Sequence, residues 1–293
     1  MPNGSAGRVG EKIVRDFSFL TDTALQTSVI GGVKMGMRGV PIQGETPYLI
    51  PGFHSVRESL EKQHVRIEEI WISEGRGSAR TKEILRLAEK RGIPIRMKNR
   101  DVIASMLPDI AHQGIVALAE KFEYADFEKL AELSLENKDS ALLIAADHIT
   151  DEGNLGALIR AAAFFGAHGL VLPKKRSAAV SIKVLKRSSG AYVYLPIARV
   201  VNLNRALDQL KKNGYWIIGA SEKSSGSIYE FDWRRDLVLI LGNEQRGLSQ
   251  SVQKRCDQIV KVPAFGYVTS LNVGVAGGVI LSEICRQRHL RHG

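Results

Sequence analysis

Five polar side chains sit where long apolar runs begin or are interrupted. They are Asn154 and Arg160 in DHITDEGNLGALIRAAAFFGAHG (147–169), Glu244 in LILGNEQRGLS (239–249), and Ser270 and Asn272 in VTSLNVGVAGGVILSE (268–283). An amide, a carboxylate and a hydroxyl orient a polar substrate; a guanidinium binds an anion or stabilises developing negative charge. No His/Asp/Glu cluster with metal-ligand spacing accompanies them, so the expected metal count is none. Each feature has a plainer alternative. Arg160, inside the small apolar run LGALIRAAAFF, must reach a salt-bridge partner or solvent. Glu244 could belong to an ordinary strand-to-helix turn. His54, His112 and His148 could be read as catalytic, but hydrogen-bonded structural histidines are commoner.

The elements that must hold these groups are legible as periodicity. ALLIAAD, GLVLP, YWIIGAS, LVLILG and QIVKV are apolar runs of strand length, separated by the helical patterns NLGALIRAAAFFG, NLNRALDQLKKNG and SQSVQKRC. Wholly apolar strands alternating with helices predict a parallel sheet covered on both faces, an α/β fold. The three polar stretches follow predicted strand ends. Such ends share one edge of a parallel sheet, where ligands bind. Asn154 fits a helix N-cap. Gly242 would let a ligand approach the strand end. Gly274, Gly277 and Gly278 each cost a helix about 1 kcal/mol relative to alanine, which calls for close backbone approach.

The chain of 293 residues is 44% hydrophobic and carries 41 basic against 31 acidic residues, a net +10, which points to a polyanionic partner, most often nucleic acid. Basic residues concentrate in PKKRSAAVSIKVLKRSSG (173–190), with Lys174, Lys175, Arg176, Lys183, Lys186 and Arg187; a solvated helix face is the alternative. Cys256 and Cys285 form no CxxC pattern and read as reduced core thiols. No membrane span or signal peptide is legible, so a cytoplasmic protein is expected. Four segments are expected: a loose glycine-rich extension (1–46), a small α/β unit (47–122), a polar linker helix with a loop (123–139) and the main α/β domain (140–293). GRGSAR (75–80) starts like a dinucleotide fingerprint, but Arg80 replaces its third glycine; a basic surface turn is the better reading.

NLGALIRAA, LGNEQRGLS and SLNVGVAGGVILSE together resemble, in order and spacing, the three signature motifs of the SpoU (TrmH-type) RNA 2′-O-ribose methyltransferases. PGFHSVRESL (51–60) and HQGIVALAE (112–120) resemble the small RNA-binding domain of the subgroup that methylates a guanosine ribose in 23S rRNA. The resemblance covers about residues 47–288. It implies an α/β knot (SPOUT-type), with a deep trefoil knot, mainly parallel sheet, S-adenosyl-L-methionine held at Gly242, Val262 and Leu271, and a homodimer with the site near its interface. The smaller N-terminal domain would resemble a ribosomal-protein fold. Residues 263–271 would be the knot loop, and Asn272 would begin the last helix. Arg160 matches the family's catalytic arginine. Because arginine stays protonated, its expected role is electrostatic rather than that of a base, with Asn154 positioning the ribose or Arg160 and with Glu244, Ser270 and Asn272 completing a hydrogen-bonded shell. Glu152 (commonly proline), Ala264 (usually methionine) and Gly274 (usually serine) depart from the pattern and bear on substrate preference. A tRNA or an rRNA adenosine as acceptor, or a non-catalytic RNA-binding or ribosome-assembly protein of the same fold, are the alternatives.

Overall fold

The computed structural model describes residues 28–30, 33–35, 48–62, 65–75, 77–133 and 140–289. Residues 1–45 are a unit of their own. Within it, Ser28–Ile30 (β1) pairs antiparallel with Val33–Met35 (β2), Ile30 opposite Val33. This corrects the expectation of an extension without elements at those six positions; β-branched residues on both segments favour pairing. The rest of the extension lies outside the described residues.

Residues 46–293 form the second unit. It opens with a four-stranded mixed sheet built from Tyr48–Pro51 (β3), Ile67–Ser73 (β4), Ile95–Lys98 (β5) and Ile115–Ala119 (β6), in the order β3-β6-β4-β5. Only β4 and β5 run parallel. Phe53–Lys62 (α1), Ala79–Lys90 (α2) and Arg100–Met106 (α3) accompany it. GRGSAR ends in a helix start: the Ser78 side chain accepts from the Thr81 N–H, an N-cap.

A short helix, Phe127–Ala131 (α4), leads into the larger sheet. It lies in the polar segment expected to hold a linker helix with a loop; Asp126 caps it at its start, and residues 134–139 lie outside the described residues. The strands are Leu142–Asp147 (β7), Gly169–Pro173 (β8), Ile197–Val200 (β9), Trp216–Ala220 (β10), Gly226–Ser227 (β11), Leu237–Gly242 (β12) and Gln258–Lys261 (β13). Their order is β11-β13-β10-β12-β7-β8-β9, and every pairing is parallel. The helices are Glu152–Phe164 (α5), Ile182–Ser188 (α6), Leu203–Lys212 (α7), Gln250–Gln253 (α8) and Val273–His289 (α9). One core joins α5, α6 and α9 to β7 and β12 through Leu155, Leu158, Leu185, Leu241 and Ile280; the other joins α4, α7 and α8 through Leu130, Leu207 and Val252. The predicted two-sided burial of a parallel sheet is therefore present.

The small sheet is fastened to the large one. Tyr48 Oη donates to the Val180 carbonyl at 2.7 Å, and the Ser59 and Tyr192 hydroxyls share a buried hydrogen bond of 2.5 Å. Burial and neighbouring tyrosines hold the Tyr48 phenol protonated far above its ordinary range, and burial does the same for Tyr192. At the other end, the Arg288 guanidinium donates to the Trp233, Ser140 and Arg235 carbonyls and ties the end of α9 down.

Candidate functional site

The carboxyl ends of β7 and β12 lie side by side, with Gly242 opposite Asp147. After β7 the chain turns into α5, and here the structure corrects the sequence reading. The N-cap is Asp151, not Asn154: Asp151 has extended backbone, and its carboxylate accepts from the Asn154 N–H at 2.7 Å. Four consecutive residues, DEGN, supply three that are able to cap. Asp151 prevails because a carboxylate at a helix start also meets the positive end of the helix dipole. The Asn154 side chain is thereby released from capping.

It is spent on two distant loops. Asn154 Nδ2 donates to a Glu244 carboxylate oxygen in a short hydrogen bond, and Asn154 Oδ1 accepts from Asn272 Nδ2 at 2.7 Å. Asn272 caps α9 as expected: its Oδ1 accepts from the Gly274 N–H at 3.0 Å and the Val275 N–H at 3.4 Å. These partners fix the polarity of the chain of bonds. Two backbone donors demand that the Asn272 oxygen face the helix, so its NH₂ points outward. Glu244 is acceptor-only, so the Asn154 NH₂ faces it. Three loops from three strand ends are thus joined by one directional relay.

The predicted cofactor residues Gly242, Val262 and Leu271 line one cavity of about 340 Å³, together with Glu244, Ser270 and the apolar Leu241, Val260 and Ile280. Its size falls in the range of small-molecule sites. The loop over it exposes Phe265 and Tyr267 almost completely. Those aromatics were missed; AFGYV between a strand and a glycine-bearing helix was the available signal. Gly242 also answers to a packing demand of its own loop. A Cβ there would stand 2.4 Å from the Gly247 carbonyl carbon, so the absent side chain makes room for the returning backbone of its own loop. Asn243 and Gly247 close that loop with paired backbone hydrogen bonds of 3.2 and 2.8 Å.

The glycines of α9 divide. A Cβ at Gly274 would lie 2.9 Å from Ala157 Cβ, and one at Gly277 would lie 2.9 Å from the Leu158 and Leu241 methyls; Gly278 meets nothing within 4 Å. Two of the three glycines therefore let α9 settle onto α5 and β12, as close backbone approach required.

Arg160 is not part of the relay. Six residues at about 100° each place it about 120° around α5 from Asn154. Its guanidinium is exposed and donates to Ser189 Oγ at 3.3 Å. It lines a groove of about 880 Å³ with Lys183, Lys186, Arg187 and Asp109. Of the polar residues expected to converge on one pocket, Glu244 and Ser270 line the cavity, Asn154 and Asn272 reach it only through their hydrogen bonds to Glu244 and to each other, and Arg160 lies elsewhere within a single chain. The basic residues also separate. Lys183, Lys186 and Arg187 face that groove; Lys174, Lys175 and Arg176 are exposed in the loop after β8. Lys186 is half-buried over Gly52, and that burial lowers its pKa.

Each of the three histidines has a contact outside the relay. His112 Nδ1 accepts from the Gly114 N–H at 3.1 Å, His54 stacks edge-on against Phe53, and His148 Nδ1 shares a 2.5 Å hydrogen bond with the buried Asp147 carboxylate. Among the described residues no group of three His, Cys, Asp or Glu is placed to hold a metal, and no helix is long and apolar enough to cross a membrane.

Comparison with known proteins decides what this architecture is. Residues 141–282 match the SpoU rRNA Methylase family, and residues 49–125 match the RNA 2′-O ribose methyltransferase substrate binding family. YacO of Bacillus subtilis, assigned by name to the TrmH family of tRNA/rRNA methyltransferases, is 33% identical over 238 residues, 81% of this chain and 95% of the relative. The chain belongs to the SpoU family. A TrmH-family relative from Staphylococcus aureus is likewise 33% identical, over 82% of this chain and 96% of its own. The SpoU methyltransferase AviRb of Streptomyces viridochromogenes, solved with AdoMet, shares 25% identity with a TM-score of 0.69, covering 82% of this chain and 90% of AviRb. An AdoMet-bound rRNA methyltransferase from Sinorhizobium meliloti, 23% identical with a TM-score of 0.68, shares the fold across 83% of this chain and 88% of its own. The SpoU assignment, with the α/β parallel sheet, places the chain among the SPOUT-class RNA methyltransferases.

Proposed function

We propose that this SpoU-family enzyme methylates the ribose 2′-hydroxyl of a guanosine in 23S rRNA. S-adenosylmethionine is the methyl donor. The observation that carries the reading is the Asn272–Asn154–Glu244 relay at the mouth of a cavity lined by Gly242, Val262 and Leu271. The lining fits the donor: apolar Leu241, Val260, Val262 and Ile280 offer an adenine face, and the loop backbone supplies polar contacts. When bound, the donor supplies an electrophilic methyl on a sulfonium.

The protein's own part is orientation and charge. Glu244 is held by Asn154, leaving its second carboxylate oxygen for a ribose hydroxyl. Ser270 stands on the cavity wall. Arg160, always protonated, binds an RNA phosphate and stabilises negative charge growing on the 2′-oxygen. Because Arg160 and the relay occupy different faces of α5 in one chain, the reading includes a homodimer whose interface completes the site. Phe164, 81% exposed on α5, supports such an interface. The reading further includes a trefoil knot formed by the 263–271 loop and α9, the domain division at residues 47–122 and 140–293, and a cytoplasmic setting suited to rRNA. The groove flanked by Asp109 on one side and Lys183, Lys186 and Arg187 on the other supports RNA lying between the two sheets.

The test is methyl transfer from labelled S-adenosylmethionine to unmodified 23S rRNA and bulk tRNA, with the product mapped by primer extension at low nucleotide concentration. One stop at a 23S guanosine is expected. Transfer to tRNA or to an rRNA adenosine alone would overturn the substrate. No transfer and no cofactor binding would favour a non-catalytic RNA-binding or ribosome-assembly protein.

A further inference from the structure

Beside the cofactor cavity lies a second cleft, of about 450 Å³, lined by His148, Thr150, Arg176, Asn243, Gln245, Arg246, Gly247 and Ser249. Asn243 and Gly247 line both spaces, so the loop after β12 is a shared wall. One side of that loop presents Glu244 to the cavity; the other presents Gln245 and Arg246 to the cleft. The cleft lining has two guanidiniums, an imidazole, two amides and two hydroxyls, but no carboxylate.

The cleft is built rather than incidental. His148 and Arg176 hold left-handed backbone, φ 61° and 55°, which non-glycine residues adopt at a cost and which clusters at functional sites. Both arginine-bearing loops are stapled to the same short segment. Asn243 Nδ2 donates to the His148 carbonyl at 3.1 Å. The Ala178 N–H and the Ser177 hydroxyl both donate to the Ile149 carbonyl, at 2.8 and 3.2 Å. Asn243 Oδ1 also accepts from the Gln245 and Arg246 N–H groups, which sets the direction of that turn. Beneath it, the buried Asp147 carboxylate takes the Ser249 N–H at 2.6 Å and the His148 Nδ1 at 2.5 Å. This leaves Nε2 as the free nitrogen of the ring. Neither Arg176 nor Arg246 forms a salt bridge among the described residues, although both lie exposed at the cleft.

We propose that this cleft is a subsite for a backbone phosphate of the nucleotide next to the target ribose, held by Arg176 and Arg246 with His148 at its floor. It rests on the reading of the chain as an RNA methyltransferase and deepens it by assigning a positioning role to Arg246 and His148. Guanidinium forks match phosphate oxygens in pairs. A phosphate fixed one wall away from Glu244 would set the register of the ribose in the site, while contributing no base specificity.

The experiment measures binding of a fluorescein-labelled, mixed-sequence 20-nucleotide single-stranded RNA by anisotropy across salt concentrations. It uses the full chain, the double variant Arg176→Gln/Arg246→Gln, the charge-keeping Arg246→Lys, and Lys212→Gln. Lys212 ends α7 at the opposite edge of the sheet, just before β10. Each lost single-strand phosphate contact lowers the salt slope by about 0.7, so the double variant should lose about 1.4 from the slope and bind roughly ten-fold more weakly at 0.1 M salt. Arg246→Lys should keep most of the slope, and Lys212→Gln should stay within two-fold. S-adenosylmethionine affinity should not change. On an unmodified RNA that the wild type methylates, the double variant should raise KM, with kcat within three-fold. An unchanged slope, or loss of cofactor and RNA affinity together, overturns the proposal. A wild type that binds RNA with the expected slope yet methylates neither 23S rRNA nor tRNA rejects the functional reading alone; the slope loss in the double variant would still support the cleft.

Discussion

Asn272 serves two masters, and its aspartate variant separates them. The oxygen caps α9 through the Gly274 and Val275 N–H groups; the NH₂ donates to Asn154. Asn272→Asp keeps an acceptor at the helix start, and its negative charge meets the helix dipole favourably by about 0.3–1 kcal/mol. Thermal stability should therefore match or slightly exceed that of the wild type. The relay, however, loses its donor. Asn154 Oδ1 would face a carboxylate, and turning the Asn154 amide would direct its oxygen at Glu244 instead. One end of the relay is repulsive in either orientation. A hydrogen bond to a charged group is worth about 1.5–3 kcal/mol, so the rate of methyl transfer should fall roughly 10- to 100-fold. Asn272→Ala removes both functions. Its cap loss of about 1 kcal/mol should lower Tm by about 2–4 °C for a chain of this size. Thermal unfolding and single-turnover transfer on the three proteins provide the test. The reasoning is refuted if the aspartate variant loses stability like alanine, or if it transfers methyl at the wild-type rate.

Three further outcomes follow from the packing. Gly277→Ala sets a methyl against Leu158 and Leu241; overpacking of about 1–3 kcal/mol, offset by about 1 kcal/mol of helix propensity, should lower Tm modestly, whereas Gly274→Ala should also weaken the relay and slow transfer. Gly242→Ala drives a Cβ into the Gly247 backbone and should weaken S-adenosylmethionine binding at least ten-fold by calorimetry, with far-UV dichroism unchanged. Burial pushes the Cys256 thiol from its ordinary 9.0 to about 11, with Asp257 adding to the rise. Since the unfolded chain ionises first, the stability this group contributes is present below pH 9 and is lost as pH rises towards 11; solvent screening limits the loss to about 1–2 kcal/mol. Cys256→Ser should flatten the urea-unfolding midpoint across that window.

Strands buried on both faces announce themselves. LVLILG and ALLIAAD can be little else in an α/β chain, and β7, β8, β10, β12 and β13 were legible for that reason. The shorter β9, PIARV, hid behind a proline and an arginine that leans out over the Lys174 carbonyl. The helix α6 was legible only as one alternative for a basic run, because its buried residues, Val184, Leu185 and Ser188, include just two apolar ones. At the site, residue types were readable but geometry was not. DEGN holds several capable caps, and only backbone dihedrals choose Asp151. Likewise, Arg160 and Asn154 are neighbours in sequence, yet the helix turn separates them. The cleft with Arg246 and His148 needed the fold, because its walls come from three segments about 30 to 100 positions apart, a distance no local pattern spans.

The most direct measurement is single-turnover methyl transfer with Asn154→Ala beside the wild type, with S-adenosylmethionine affinity measured on both. Asn154 joins all three loops but does not line the cofactor cavity. Transfer should fall about 100-fold while affinity stays within three-fold. Transfer at the wild-type rate by Asn154→Ala would contradict the assignment of the relay as the working centre of this enzyme.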